Sequence, residues 1–189
     1  GPGPTRNLGL ALASSEYIYF LDGDDKIRPE LFKAARDAIV NHEADLFLFS
    51  GESFCDEEHD CTNLPRYERN ICGVFHQSDN FITKLWEKGA LFPSPCHYVS
   101  KRDIWAKHRL QFPAVIHEDR AIFLPLLAFN QTIYVDTATY YLRRVRPNSI
   151  MTSPIGKENI KGVLHVLTST MEFIAQNPDL VKKEIRVWR

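Results

Sequence analysis

The chain has 189 residues, 23 Lys plus Arg against 24 Asp plus Glu, a net charge of −1 and 44% apolar residues. That length suits one domain with its own core, and the balanced charge excludes the basic surface of a general nucleic-acid binder. No apolar run approaches the ~20 residues of a membrane-spanning helix, and GPGPTRNLGL lacks the basic-then-apolar order of a secretory signal. A soluble, cytoplasmic chain with no nucleic-acid partner and no transmembrane segment is the expectation.

Residues 4–14, PTRNLGLALAS, read as a helix with proline in its first turn, and Gly9 within it predicts close packing against another element. YIYFLD (17–22) is apolar at nearly every position and predicts a strand covered on both faces. Pro29 opens a second helix, with Leu31, Ala35, Ala38 and Ile39 on one face, ending near His42. DLFLFSG (45–51) is a second buried strand, so these elements form a βαβ-like unit. Residues 52–76 lack periodicity and read as a long excursion. Ser78 can cap a helix carrying Phe81, Ile82, Leu85 and Trp86, stopped by Gly89. A short helix follows near Asp103–Lys107, and HEDRAIFLPLLAF (117–129) is helical by pattern, with Pro125 expected to kink it. TIYVDTATYYLRR (132–144) is strand-rich. Ile160, Leu164, Leu167, Met171 and Ile174 then lie at helical spacing, and Asn177-Pro178 ends that helix.

Cysteines stand at 55, 61, 72 and 96. A zinc cluster from Cys55, His59, Cys61 and Cys72 fits no standard spacing, so reduced thiols are the plain expectation.

FLDGDD (20–25) is the strongest local signal: Asp22, Asp24 and Asp25 crowd the carboxyl end of a strand, where ligands collect in open α/β sheets. Packed like charges repel unless compensated, and a hard cation, Mg²⁺ or Mn²⁺, would compensate them. The plain alternative is a solvated acidic turn. An EF-hand starting at Asp22 fails, because its sixth and twelfth positions are Ile27 and Lys33 rather than Gly and Glu. A haloacid-dehalogenase-type phosphohydrolase fits poorly, since Asp25 stands where a threonine-like residue is needed.

TRNLGLALASSEYIYFLDGDDKIRPELF resembles the family 2 glycosyltransferases of the GT-A fold, with an Arg-Asn-x-Gly-Leu helix, a strand ending in D-x-D-D, and a Pro-acid-Leu helix start. The likeness continues through PCHYVSKRDIW (95–105), HED (117–119) and YYLRRVRPNSI (140–150), in family order. Cys96 departs from it, because the family often has Trp there.

The resemblance implies a partial GT-A, Rossmann-like α/β mixed sheet flanked by helices over 1–150, with a C-terminal helical extension over 151–189. It implies inverting transfer of a sugar from a nucleotide-diphosphate donor to a glycan or glycolipid hydroxyl, as in polysaccharide biosynthesis, with the parent peripheral at the cytoplasmic membrane face. Asp24 would contact Mn²⁺ or Mg²⁺. Asp22 would touch the metal through water or the donor ribose, and Asp25 would cap the turn or touch donor. Arg6 and Asn7, at a helix start, would bind phosphate, although Arg6 can equally pair with a structural acid.

Asp119 would be the general base, with Glu118 at the acceptor and Tyr98 stacking on a sugar as Trp86 or Trp105 also can; core packing is the plain reading of all three aromatics. Arg143, Arg144 and Arg146 would clamp the departing diphosphate, and Ser149 would contact phosphate or a metal-bound water. The family's nucleotide-binding half precedes the matched segment, so these 189 residues read as a carboxyl portion that self-associates and transfers nothing alone. A degenerate, non-catalytic glycan-binding domain is the rival reading.

Overall fold

A computed structural model describes residues 1–55, 64–77, 80–145 and 156–181. Its centre is a seven-stranded mixed sheet with strand order β1-β6-β3-β7-β2, β4 adding to β3 and β5 to β7. These are β1 (Tyr17–Tyr19), β2 (Lys26–Ile27), β3 (Leu46–Phe54), β4 (Arg66–Tyr67), β5 (Gly73–His76), β6 (Tyr98–Lys101) and β7 (Thr132–Arg144). β3 and β7 run parallel, and every other pairing is antiparallel. The expected βαβ unit is therefore split: antiparallel β6 lies between β1 and β3, joined to both.

Period-two alternation on β3 builds the core on both faces. Leu46 and Leu48 join Tyr98, Ile122, Phe123 and Leu126 in one cluster, while Phe47 and Phe49 join Leu31, Ala35 and Ala38 in the other. All four β3 side chains are at most 1% exposed, and each such burial stabilises by about 1.5–3 kcal/mol. The second cluster rests on α2 (Leu31–His42), whose i, i+4, i+7 residues are the buried ones. Its end is set by Glu43 in the left-handed region at φ 52°.

Several expectations change. The strand β1 covers only Tyr17–Tyr19 and is half-buried, because it forms an edge of the sheet. Helix α1 (Pro2–Leu12) packs closely through Gly3, not Gly9: a Cβ on Gly3 would meet the Pro113 carbonyl oxygen at 2.4 Å, while one on Gly9 meets nothing within 4 Å. The excursion contains β4 and β5, with residues 56–63 outside the described residues. Helix α3 (Phe81–Glu87) buries Phe81, Ile82 and Leu85 as expected and is followed by Gly89 at φ 61°; Ser78 lies outside the described residues. Helix α4 spans Arg102–Lys107.

Helix α5 (Glu118–Phe129) runs through Pro125, since burial of Ile122, Phe123, Pro125, Leu126 and Leu127 outweighs the lost hydrogen bond. Helix α6 (Lys157–Gln176) docks on α5 through Phe173 against Phe129, ring centroids 5.4 Å apart, and is followed by α7 (Pro178–Val181). Its Ile160, Leu164, Leu167 and Met171 are 55–70% exposed, so this apolar stripe faces away from the core. Among the described residues no helix is long and apolar enough to cross a membrane. Cys55 is disulfide-bonded, which corrects the reduced-thiol expectation and removes that thiolate from any zinc group. Cys72 and Cys96 are free; His59 and Cys61 lie outside the described residues.

Candidate active site

The chain leaves β1 into the acidic loop and returns as β2, which pairs with the far end of β7 through Lys26–Leu142 and Ile27–Tyr141. The Asp25 N–H donates to the Asp22 carbonyl at 3.1 Å, closing a turn. Two groups from β7 then seize the Asp25 carboxylate. The Tyr141 hydroxyl donates to Oδ2, and the Arg144 backbone N–H donates to Oδ1 at 2.7 Å. Arg144 Nε adds a bond to the Asp24 carbonyl at 2.9 Å. Burial pushes the Asp25 carboxyl up, and the charges of Asp24 and Asp22 act in the same sense; the bonds from Tyr141 and Arg144 oppose them. Of the roles open to Asp25, the turn anchor is the one the contacts describe.

Arg6 joins the two acidic segments. Its guanidinium donates to Asp22 Oδ1 at 2.8 Å and to Glu118 Oε1 at 2.5 Å. The Arg6 and Glu118 side chains are 12% and 9% exposed, whereas Asp22 is 46% exposed. Burial works against the Arg6 charge, but the hydrogen bond to Asp22 and the charges of Asp22 and Glu118 outweigh it, and the pKa is raised. Arg6 is thus paired with two acids at once. Asn7 is spent differently. Its side chain exchanges two hydrogen bonds with the Phe112 backbone, at 2.8 and 2.9 Å, anchoring that segment to α1.

His117, in the left-handed region at φ 69°, opens α5, so Glu118 and Asp119 occupy its first turn, where the helix dipole favours acids. Glu118 is 7% exposed and paired with Arg6. Asp119 is half-buried, and its Oδ1 accepts the Arg120 N–H at 2.9 Å. Arg6 thereby holds the acidic loop and the α5 acid pair at one site. An open cleft of about 410 Å³ between α1 and the acidic loop is lined by Thr5, Arg6, Gly9, Tyr19, Asp22 and Gly23 among others.

Arg143 Nη1 donates to the Tyr67 hydroxyl at 2.5 Å. Arg146 and Ser149 lie outside the described residues. Tyr98 and Trp105 are each 1% exposed; Trp105 donates to Ser100 Oγ at 2.8 Å, while Trp86 is 54% exposed. The plain core reading therefore describes Trp105.

Asp22, Asp25 and Cys96 offer ligand atoms within 4.8 Å of one another. Burial, then the Asp22 charge, pushes the Cys96 thiol up to about 12, so it stays protonated and is a poor partner for a hard ion. The carboxylate oxygens of the loop are the donors that suit Mg²⁺ or Mn²⁺.

Sequence reasoning missed Tyr141, whose period-two relation to Arg143 on one strand was the available signal. It also missed Arg69, 1% exposed, whose guanidinium donates to the Phe49, Ala90 and Phe92 carbonyls. Burial lowers its pKa to about 9. No periodicity around Arg69 announced it.

The mixed sheet flanked by helices is similar to GT-A glycosyltransferase structures. S. aureus TarS 1–349 in complex with UDP-GlcNAc superposes with a TM-score of 0.67 at 20% identity, covering 89% of this chain and 46% of that one. The complex of the same protein with UDP gives 0.63 at 20% identity, covering 89% and 45%. Residues 1–107 match Glycosyl transferase family 2, and the chain belongs to that family. It is 33% identical over 129 residues to an uncharacterized glycosyltransferase of Haemophilus influenzae, covering 67% of this chain and 45% of that protein. The chain thus spans less than half the length of these relatives. Family membership displaces the haloacid-dehalogenase alternative.

Proposed function

We propose that the protein carrying this chain transfers a sugar, with inversion, from a nucleotide-diphosphate donor to a hydroxyl of a glycan or glycolipid. The observation that carries this reading is the Arg6 bridge, which gathers Asp22 of the acidic loop and Glu118 of the α5 turn around one guanidinium. Asp24 and Asp119 belong to the same two segments, and in this reading they serve the donor and the acceptor respectively. The UDP-GlcNAc complex of TarS supports a nucleotide-sugar donor.

In this reading Asp119 accepts the proton of the acceptor hydroxyl as its oxygen bonds to the anomeric carbon. The bond from that carbon to the diphosphate oxygen breaks, and the electron pair leaves with the nucleoside diphosphate. Mn²⁺ or Mg²⁺, held by Asp24 and Asp22, would supply charge neutralisation for that diphosphate. Arg143 and Arg144, at the end of β7, would add positive charge to complement it. Glu118 keeps Arg6 in place beside the acceptor side of the site.

The test is a screen of nucleotide sugars and acceptors with the full-length parent, with and without Mn²⁺. Asp119→Asn is expected to lower turnover about 10² to 10⁴-fold with donor affinity retained. Asp24→Asn is expected to abolish metal-dependent transfer in a folded protein. Unchanged turnover in either variant removes that residue from its role. Residues 1–189 alone are expected to transfer nothing and to self-associate through the exposed β1 edge, which light scattering reads directly.

A further inference from the structure

Helix α6 carries a pattern that its own docking leaves unused. Ile160, Leu164, Leu167, Met171 and Ile174 follow one another at steps of four, three, four and three, the heptad spacing of a coiled-coil seam. The first four are 55–70% exposed, and Val163 beside them is 43% exposed. The helix meets its own domain elsewhere: Gly162 lies against the Ile116 carbonyl and Phe173 against Phe129. At 3.6 residues per turn both positions fall on the far side of α6 from the seam. A contiguous exposed apolar face of this kind marks an interaction surface. The charges decide what it fits. Along α6 two lysines are balanced by two glutamates, so the net positive charge that holds an amphipathic helix on anionic lipid is missing. The charges are also polarised. Lys161 stands near the amino end and Glu172 near the carboxyl end, on the same flank of the seam.

We propose that the exposed face of α6 is self-complementary and that two copies of the chain pair their α6 helices antiparallel, about a two-fold axis at Leu167. Ile160 then meets Ile174 of the second copy, and Leu164 meets Met171. A two-fold axis keeps each flank on its own side, so Lys161 of each copy falls beside Glu172 of the other, twice by symmetry. A parallel pair would set Lys161 beside Lys161 and align the two helix dipoles, and both effects are unfavourable. One face of a 20-residue helix, about 30 Å long, gives a contact at the small end of specific interfaces, so the dimer is expected to form reversibly with concentration. This surface shares no residue with the β1 edge.

The experiment is sedimentation velocity on the 189-residue chain over a concentration series, with circular dichroism melts to show that each variant folds. Leu164 is 56% exposed, so Leu164→Glu is expected to keep the melt and to weaken association at least about a hundredfold, by setting a charge in the seam. Lys161→Glu is expected to weaken it about fivefold to tenfold, through two lost and reversed pairs, and Glu172→Lys in the same chain to restore it. A parallel pair, or association through the β1 edge, would not respond to that exchange. A chain that stays monomeric at every concentration overturns the proposal, as does association that Leu164→Glu leaves intact, which would belong to the β1 edge. A charge exchange that fails to restore overturns the antiparallel pairing. Phosphatidylglycerol vesicles are the remaining arm: a monomer that binds them, and loses binding with Leu164→Glu, would make the seam a lipid contact and overturn the dimer.

Discussion

Replacing Arg6 by Met tests whether one guanidinium holds the site together. The substitution keeps an unbranched apolar stem and deletes the charge. Two ion pairs are lost, but they differ in weight. Asp22 is 46% exposed, so water and salt recover most of its share. Glu118 is 9% exposed and would be left as a buried carboxylate without its cation. Removing one partner of a buried pair costs about 3–5 kcal/mol, and the residual exposure of both side chains places the loss near the lower end, about 3 kcal/mol. The cation–π contact of Arg6 with Phe112, 5.6 Å from the ring centroid, adds to that loss. In thermal melts this amounts to a drop of about 6–12 °C for a chain of this size. Glu118→Gln in the Arg6→Met background removes the stranded charge and is expected to restore part of the loss, giving a coupling of about 2 kcal/mol in a double-mutant cycle. A single variant within 0.5 kcal/mol of the parent, or additive singles, would refute the reasoning.

Three further outcomes are expected. Gly162→Ala gains about 1 kcal/mol of helix propensity, but its Cβ would sit 2.1 Å from the Ile116 carbonyl oxygen, a backbone atom with little room to yield. Hydrogen exchange should therefore show α6 less protected, and unchanged protection would contradict the close approach. The buried His97 imidazole has a pKa well below its usual value, through burial first and then the charges of Arg69 and Arg143. The unfolded chain thus binds more protons, and stability is full above about pH 6.5 and lost as pH falls below it. Urea melts at pH 7.5 and 5.5 should differ by about 1.4 kcal/mol from this group, a difference that His97→Phe removes. Gly51→Ala should destabilise by about 1–3 kcal/mol, because its Cβ would lie 2.7 Å from His97 Nε2; a neutral urea melt would mean the ring moves aside.

Legibility in the sequence tracked how local the determining physics is. The α2 face read correctly because Leu31, Ala35 and Ala38 need only helical periodicity. FLDGDD marked the loop, because a strand ending in acid is a local pattern. What failed depended on neighbours distant in sequence. YIYFLD looks like a strand covered on both faces, but whether it is central or an edge is decided by β6, eighty residues later. Gly9 looked like the contact glycine, and Gly3 is, because the 112–113 segment meets α1 at Gly3 and Asn7 and leaves Gly9 open. The Ile160–Met171 stripe has the periodicity of a buried face and is exposed, since α6 docks through Gly162 and Phe173 instead. The bonds of Asn7 to the Phe112 backbone also have no sequence signature.

The three acids of the loop are chemically equal in sequence and unequal in the fold. Asp25 is held by Tyr141 and by the Arg144 N–H, 116 and 119 residues away, and Asp22 by Arg6 from the other side. The loop is thus clamped between the end of β7 and the start of α1. Those two clamps fix the backbone at Asp24, whose carbonyl also accepts from Arg144. Like charges crowded into one turn would otherwise splay it. A lesion at Tyr141 should therefore be felt first at Asp24 and in metal affinity, while β7 keeps its pairing with β3 along eight registered positions from Leu46 to Phe54. The role proposed for Asp24 depends, in that sense, on how its neighbours Asp22 and Asp25 are held rather than on Asp24 alone.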